Sequence, residues 1–209
     1  MIRNIYFKKR EEINSRLEEF KCVWNKGSEK DIFAELLFCI LTPQSKAKVC
    51  WQAIIKIVKD NLLITGKYNQ ILKNLVGVRF KYKKASYIIE ARKLFVDRDK
   101  MDIKSKIKKI NNVFDKREWL VKSVKGIGFK EASHFLRNIG FGENIAILDR
   151  HILKNLVLLK VIKGIPENLT KQKYYEIEEK MKKFSSKIKI PISHLDLLFW
   201  SKETGEIFK

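Results

Sequence analysis

Two side chains in this sequence, Lys130 and Asp149, are of the types that carry covalent chemistry. A lysine in its neutral amine form can attack an electrophilic carbon and form a Schiff base. A carboxylate can stabilise a developing positive charge or accept a proton. On spacing alone both residues have simpler interpretations, because Lys130 could be a solvated surface lysine and Asp149 could cap the helix that follows it.

A glycine pair just before Lys130 indicates how that lysine is positioned. Gly126 and Gly128 flank Ile127 within LVKSVKGIGFKEASHFLRNI, residues 120–139. Apolar residues recur at helical spacing on both sides, so the stretch predicts a helix, a tight hairpin and a second helix. Glycine permits positive φ and exposes backbone N–H groups, which with a helix N-terminus can bind one phosphate oxygen. The alternative is an ordinary turn between two packed helices.

The composition indicates an anionic polymer as partner. The 209 residues include 45 Lys and Arg against 24 Asp and Glu, a formal net charge of +21. This excess favours nucleic acid, and a hairpin of this kind would contact the phosphate backbone without recognising bases. No apolar run is longer than Leu36 to Leu41, so no membrane span is predicted. The three cysteines lack metal-ligand spacing and indicate reduced thiols in a cytosolic compartment: Cys22, Cys39 and Cys50.

The segments KGIGFKEASHFLRN (125–138) and AILDRHI (146–152) resemble the helix-hairpin-helix DNA glycosylases, in which a Gly/Pro-rich loop leads to an aspartate. Within that group the chain looks like the compact type-2 branch of 8-oxoguanine DNA glycosylase/lyases. The resemblance covers nearly the whole chain and is most specific between Val124 and His151. One departure is that no proline stands near Asp149 in this loop.

The resemblance implies roles for the central residues. Lys130 would attack the anomeric carbon of a nucleotide, expel the base and leave a Schiff base that permits β-elimination of the 3′ phosphate. Asp149 would stabilise the positive charge on the sugar and also cap its helix. The DNA backbone would be bound by the hairpin residues Lys125, Gly126, Ile127 and Gly128.

The resemblance also implies residues that handle the base. Gln44 would fill the gap left by an extruded base, and its amide could bond the orphaned partner base. Asp196, Trp200 and Lys209 would form the pocket for the damaged base, with Trp200 stacking on a purine and Asp196 accepting a purine N–H. Without the resemblance, Gln44 would be a linker residue, Trp200 a core aromatic and Lys209 part of a frayed tail.

The same resemblance bears on the cofactors of the protein and on its location in the cell. Many relatives carry a carboxyl-terminal iron–sulfur loop with four cysteines, but no cysteine follows Cys50 here. We expect neither a cluster nor a catalytic metal, although hairpin carbonyls could hold a structural monovalent cation when DNA is bound. The expected location is the cytoplasm, in association with nucleoid DNA.

Helices must position these residues. Ser28 with Asp31 forms a capping-box pattern before an apolar helix, Ser45 is predicted to cap the next helix, and Ser193 with Asp196 to cap the last one. No alternating pattern of useful length predicts a β-strand.

The sequence therefore predicts an all-α, two-lobed monomer with a DNA-binding cleft between the lobes. The central lobe would span 28–141 and end in the helix-hairpin-helix of 117–139, and a second lobe would join 1–27 to 142–209. The expected function is excision of 8-oxoguanine from double-stranded DNA, followed by strand cleavage at the abasic site. Two alternatives stay open: the same chemistry on another oxidised base, and a non-catalytic DNA-binding module.

Overall fold

The computed structural model describes residues 2–98 and 100–209, so Met1, which begins the predicted second lobe, and Asp99 lie outside the described residues. Helices make up most of the described chain, and the all-α prediction is confirmed. The helices are α1 (Ile2–Lys26), α2 (Glu29–Leu41), α3 (Ala47–Lys59), α4 (Leu62–Thr65), α5 (Tyr68–Asn74), α6 (Lys81–Phe95), α7 (Ile103–Lys108), α8 (Val113–Ser123), α9 (Phe129–Asn138), α10 (Arg150–Leu158), α11 (Lys171–Ile188) and α12 (Ile192–Thr204).

A short β-hairpin interrupts the helices between α6 and α7. Strands β1 (Val96–Asp97) and β2 (Lys100–Met101) pair antiparallel, with Val96 opposite Met101. No strand was predicted here, because a ladder of two residues is too short to show an alternating pattern.

Helix α2 forms the centre of the larger hydrophobic cluster. All ten residues from Ile32 to Leu41 are buried, and α3, α6, α7 and α9 pack around this helix. A helix that is apolar on all sides is stable only when other elements cover every face. Burial of each large aliphatic side chain contributes about 1.5–3 kcal/mol, so the surrounding helices are held against α2.

A second hydrophobic cluster joins the two ends of the chain. Tyr6, Ile13 and Phe20 of α1 pack with apolar residues of α10, α11 and α12. The predicted lobe boundaries, 28–141 and 1–27 with 142–209, stay a prediction, because a hydrophobic cluster does not by itself define a unit that folds alone.

The predicted cap of α2 is confirmed. The backbone N–H of Asp31 donates to Ser28 Oγ at 3.3 Å, and the N–H of Ser28 donates to Asp31 Oδ2 at 2.8 Å. The two reciprocal bonds satisfy donors that the first helical turn would otherwise leave free.

The predicted caps of α3 and α12 are wrong. Helix α3 begins after Lys46, and no side chain caps it, because Ser45 Oγ is engaged elsewhere, by Lys84 and Arg79. Helix α12 begins after Pro191, so Ser193 lies inside the helix. Proline at this point lacks an N–H and has a φ of −54°, which suits a helix start without a polar cap.

Two of the three cysteines are buried. Cys39 and Cys50 lie in the larger hydrophobic cluster, whereas Cys22 is exposed on α1. Burial raises the pKa of the Cys39 and Cys50 thiols.

Within residues 2–98 and 100–209, no helix has the length and apolar character needed to cross a membrane.

Candidate active site in the cleft

The glycine hairpin lies between α8 and α9, as predicted. Gly126 has a φ of +86°, and a Cβ at this position would stand 2.3 Å from the ring of Tyr87 on α6. The position therefore needs glycine for its backbone conformation and for the close approach of Tyr87. Gly126 and Gly128 are exposed, whereas Ile127 between them is buried in the core and anchors the turn.

A cleft of about 910 Å³ brings together most of the predicted site residues. Its lining includes Lys130, Asp149, Gln44, Asp196, Trp200 and Lys209. The hairpin residues Lys125 to Gly128 are not part of the lining. The glycine hairpin and the cleft are thus separate surfaces, connected by the first turn of α9.

Lys130 extends from that first turn into the cleft. Its side chain is 24% exposed, and Nζ lies 3.6 Å from Glu131 Oε1. The other oxygen of Glu131 accepts the backbone N–H of Gly128 at 3.2 Å, which satisfies a donor at the start of α9. Glu131 therefore fixes the hairpin-to-helix junction and places a carboxylate beside the Lys130 amine.

Asp149 is the N-cap of α10, as its spacing indicated. Its Oδ1 accepts the backbone N–H groups of His151 and Ile152, each at 2.8 Å. Among the described residues, Oδ2 has no hydrogen-bond donor, and Asp149 lines the cleft. The cap thus fixes the carboxylate while one oxygen stays available for chemistry.

Helix α11 holds the segment that leads to Asp149. Ala146 N–H donates to Glu178 Oε1 at 2.7 Å, and the hydroxyl of Tyr174 donates to Ala146 O at 2.6 Å. The N–H of Leu148 donates back to the Tyr174 hydroxyl oxygen at 3.3 Å. The segment lacks the expected proline, and these buried hydrogen bonds restrict its backbone instead.

A buried ion pair extends this network to α8 and α9. Arg117 donates to both oxygens of Glu178, at 2.7 and 2.9 Å, and to Ser133 Oγ at 3.1 Å. Burial alone would lower the pKa of Arg117, but the bonds to Glu178 outweigh burial and raise it. Since Ser133 lies on the helix of Lys130, the network joins the elements that carry Lys130 and Asp149.

The side of the cleft that α12 forms also carries charged groups. Asp196 on α12 is buried, with Oδ2 3.6 Å from Arg137 Nε. Burial raises the pKa of Asp196 to about 6; Arg137 opposes this shift and the nearby Asp149 carboxylate adds to it. Asp196 therefore faces the cleft interior and does not act as a helix cap.

The last residues of the chain close the pocket from a third side. The Lys209 ammonium binds Glu35 Oε1 and lies 3.4 Å from the centre of the Trp51 ring. Asn138 Nδ2 donates to the other oxygen of Glu35 at 2.9 Å. Lys209 is thus docked through its side chain and is not a frayed tail.

His134 is a cleft residue that the sequence interpretation did not assign to the site. It lines the cleft, is buried, and neither ring nitrogen has a partner among the described residues. Burial, together with the charges of Arg137 and Lys130, lowers the pKa of His134 well below its usual value. The imidazole is therefore neutral at physiological pH. A sequence signal existed, since Lys130, His134 and Arg137 follow the i, i+4, i+7 spacing of one helix face.

Gln44 lies at the mouth of the cleft. It is exposed, with a φ of +55°, in the loop between α2 and α3. A left-handed conformation is unusual for a residue with a Cβ, so the surrounding contacts must maintain it. Glu178 and Lys84 were not predicted, because their partners are distant in sequence. Glu131 was also not predicted, although its bond to Gly128, three residues earlier, is a local capping pattern. In the part of the chain that the structure describes, no group of three or more His, Cys, Asp or Glu side chains could hold a metal ion.

Enzymes that excise a base with a lysine need a phosphate-binding element beside an amine and a carboxylate that face one pocket. The glycine hairpin, Lys130 and Asp149 have this arrangement of side chains and backbone on an all-α framework, which is the arrangement of the helix-hairpin-helix DNA glycosylases.

Comparison with known proteins specifies the family. Residues 13–190 match the family described as Ogg-HhH, 8-oxoguanine DNA glycosylase. The chain is 50% identical over 208 residues to the 8-oxoguanine DNA glycosylase/AP lyase of Fusobacterium nucleatum, covering 100% of this chain and 96% of that protein. It belongs to the 8-oxoguanine DNA glycosylase family.

Two solved structures share the fold. The 8-oxoguanine DNA glycosylase of Thermotoga maritima matches with a TM-score of 0.88 and 34% identity, over 100% of this chain and 96% of that one. The glycosylase/lyase of Methanocaldococcus jannaschii, crystallised with a 15mer DNA containing 8-oxoguanine, matches with a TM-score of 0.88 and 37% identity, over 100% and 99%.

Proposed function

We propose that this protein removes 8-oxoguanine from double-stranded DNA and then cleaves the strand at the abasic site by β-elimination. The observation that carries the proposal is that Lys130 and Asp149 line one cleft with Asp196 and Trp200. Family membership supports it, because relatives are named 8-oxoguanine DNA glycosylase/AP lyase. One relative was crystallised with DNA that contains this lesion.

DNA binding begins at the hairpin. The exposed backbone of Gly126, with the N-terminus of α9, supplies N–H donors to a phosphate, and the Gly128 N–H can join them only when it leaves Glu131 Oε2. Buried Ile127 keeps the turn rigid, and exposed Lys125 adds a charge. In the structure Lys125 Nζ lies 3.3 Å from Glu90, an exposed contact that a phosphate can replace at little free-energy cost.

The target nucleotide must leave the helix to reach Lys130. A cleft of about 910 Å³ has room for an extruded nucleotide. Gln44, at the mouth, enters the gap in the base stack, where its amide can donate to and accept from the orphaned base.

The far end of the cleft recognises the base. Trp200 provides a flat surface for a purine, and Lys209 closes the pocket through its bond to Glu35. 8-Oxoguanine differs from guanine by an oxygen at C8 and a hydrogen on N7, so the pocket needs an acceptor for an N–H. Asp196, with a pKa of about 6, is mainly ionised at neutral pH and can accept that bond.

The chemistry follows from Lys130 and Asp149. Lys130 loses a proton, which Asp149 relays to the departing base, and the freed amine attacks C1′ as the bond from C1′ to the base breaks and the base leaves with the bonding electrons. The Oδ2 atom of Asp149 stabilises the positive charge that develops on the sugar. The amine loses a proton and the sugar ring opens to a Schiff base. Loss of the C2′ proton then breaks the C3′–O bond, and the 3′ phosphate departs.

We infer further properties that follow from this assignment. The protein acts as a monomer in the cytoplasm, where it is associated with nucleoid DNA, and it needs no iron–sulfur cluster. Exposed hairpin carbonyls offer the oxygen donors that a monovalent cation prefers, so such a cation would reinforce the turn when DNA binds.

Borohydride trapping tests the proposal. The protein is incubated with a duplex that carries one 8-oxoguanine, sodium borohydride is added, and covalent adducts are resolved on a denaturing gel. We expect an adduct with the wild-type protein and none with Lys130→Gln. Lys187→Gln removes an exposed lysine on α11 and should give the wild-type adduct. Strand cleavage that persists in Lys130→Gln would show that another group is the nucleophile.

A panel of duplexes, each with one damaged base, tests the substrate. We expect 8-oxoguanine to be excised fastest. Faster excision of an oxidised pyrimidine would show that the proposed chemistry is right and that the proposed lesion is wrong. Tight binding to the duplexes without excision of any lesion would show that the protein is a non-catalytic DNA-binding module.

A further inference from the structure

Lys84, at the start of α6, is a buried ammonium that the proposed mechanism does not use. The residue is 4% exposed, and burial lowers the pKa of its side chain. Its Nζ donates to Leu41 O at 2.7 Å, to Pro43 O at 2.7 Å and to Ser45 Oγ at 3.0 Å. None of the three partners of Lys84 Nζ is a carboxylate.

All three acceptors belong to one short segment, which runs from Leu41, the last residue of α2, into the connection between α2 and α3. A buried lysine usually pairs with a carboxylate, because removal of its charge from water is costly. Here the three donors of the ammonium are used by two carbonyls and a hydroxyl that surround Gln44 in sequence. Lys84 therefore acts as a clamp on the backbone of this connection.

The clamp explains the unusual backbone of Gln44. Its φ of +55° places a residue with a Cβ in the left-handed region, which persists only where neighbouring contacts determine it. Ser45 Oγ also accepts the N–H of Arg79 at 3.0 Å, so the connection is tied to a second loop at the mouth of the cleft. Gln44 itself is exposed and free to meet DNA.

We propose that Lys84 is a positioning residue that holds Gln44 in the conformation needed to fill the gap left by the extruded base. The inference rests on the gap-filling role of Gln44 in the proposed function. Lys84 would touch neither the nucleotide nor the reacting atoms. It acts through the Leu41–Ser45 segment, which orders Gln44 before DNA binds and so avoids an ordering cost during extrusion.

Two substrates separate positioning from a general structural role. Duplex DNA with 8-oxoguanine requires extrusion and gap filling, whereas single-stranded DNA with an abasic site has neither an opposite base nor a gap. For Lys84→Met we expect single-turnover excision from the duplex to slow by about tenfold or more. Cleavage of the single strand should stay within about twofold of wild type. Loss of both activities together would overturn the proposal.

The matched control is Lys83→Met, which removes a neighbouring exposed lysine from the same helix. It should behave like the wild type on both substrates. If it slows duplex excision as much as Lys84→Met does, the effect is one of positive charge near DNA, and the positioning role is wrong.

A double-mutant cycle with Gln44→Ala tests the route of action. If Lys84 works through Gln44, Lys84→Met should slow the Gln44→Ala enzyme by less than about twofold. Effects that multiply would mean that Lys84 acts independently of Gln44. If Gln44→Ala alone has wild-type excision, the gap-filling assignment fails, and that result is distinct from a failure of Lys84 alone.

A milder variant covers the case in which Lys84→Met does not fold. Ser45→Ala removes one acceptor of the clamp and the bond to Arg79. It should slow duplex excision by about threefold, spare the single strand, and add little to Gln44→Ala. Wild-type duplex excision by Ser45→Ala would contradict the clamp.

Discussion

At the scale of single residues, the cleft depends on charges that are buried in pairs. Asp196 faces Arg137 at 3.6 Å, and Lys209 docks against Glu35, all with little solvent access. Such pairs contribute little net stability, but the removal of one partner leaves an uncompensated charge and costs about 3–5 kcal/mol. These two ion pairs determine the shape and polarity of the pocket, and they make the protein sensitive to mutation of any one of the four residues.

Asp196 predicts a pH dependence of stability. Its folded pKa, raised from 3.8 to about 6, means that the folded state binds the proton more tightly than the unfolded state. Its contribution to stability is therefore greatest below pH 3.8 and is lost as the pH rises through 6. Between pH 5 and 8, the free energy of unfolding should fall by about 1.4 kcal/mol more in wild type than in Asp196→Asn.

Urea unfolding of the free protein at several pH values measures this difference. Asp196→Asn keeps the size of the side chain and removes its titration. The same pH dependence in both proteins would show that the folded pKa of Asp196 is not raised.

The sequence alone predicts the role of a residue correctly where the pattern that indicates the role lies within a few neighbouring positions. The two glycines before Lys130 and the capping position of Asp149 are short-range patterns, and both were predicted. The partners of these groups come from distant helices, such as Glu178, which lies 32 residues from Ala146. Burial and long-range pairing decide their roles, and neither quantity is encoded in spacing along the chain.

At the scale of elements, caps illustrate the same limit. Ser28 caps α2 because its partner Asp31 is three residues away. Ser45 has the same local preference, but Lys84, 39 residues further along the chain, takes its hydroxyl. A pattern of serine before a helix predicts a cap only where no buried donor competes for the oxygen.

The segment before Asp149 yields a second prediction. Tyr174→Phe removes a hydroxyl that bonds Ala146 O and Leu148 N–H. We expect the free energy of unfolding to fall by about 1–2 kcal/mol. Single-turnover excision at saturating enzyme should slow by about tenfold, because Asp149 would be less well fixed. Rates of borohydride trapping and excision, measured with saturating enzyme, would show the change.

Tyr175→Phe is the matched control for this measurement. The neighbouring hydroxyl donates to Glu118 at 2.7 Å and has no contact with the segment that leads to Asp149. Its loss should cost about 0.5–1.5 kcal/mol of stability and leave the excision rate at the wild-type value. Equal slowing in the two variants would assign the effect to general destabilisation.

At the scale of the whole molecule, the net charge of +21 governs encounter with DNA. If about six phosphates are neutralised, the logarithm of affinity should fall with the logarithm of salt concentration with a slope near −5. Affinity would then drop by about 10³ between 50 and 200 mM salt. Fluorescence anisotropy with Lys130→Gln measures this on intact lesion DNA, and a slope shallower than about −2 would contradict a dominant electrostatic contribution.

The burial of Cys39 and Cys50 has a consequence for an enzyme whose substrate arises by oxidation. Oxidants react with accessible thiolates, and both burial and a raised pKa suppress the thiolate form. Of the three cysteines, only Cys22 on the outer surface of α1 meets the solvent. A rise in peroxide that creates more lesions would therefore modify the protein at a position away from the cleft and leave its catalytic capacity in place.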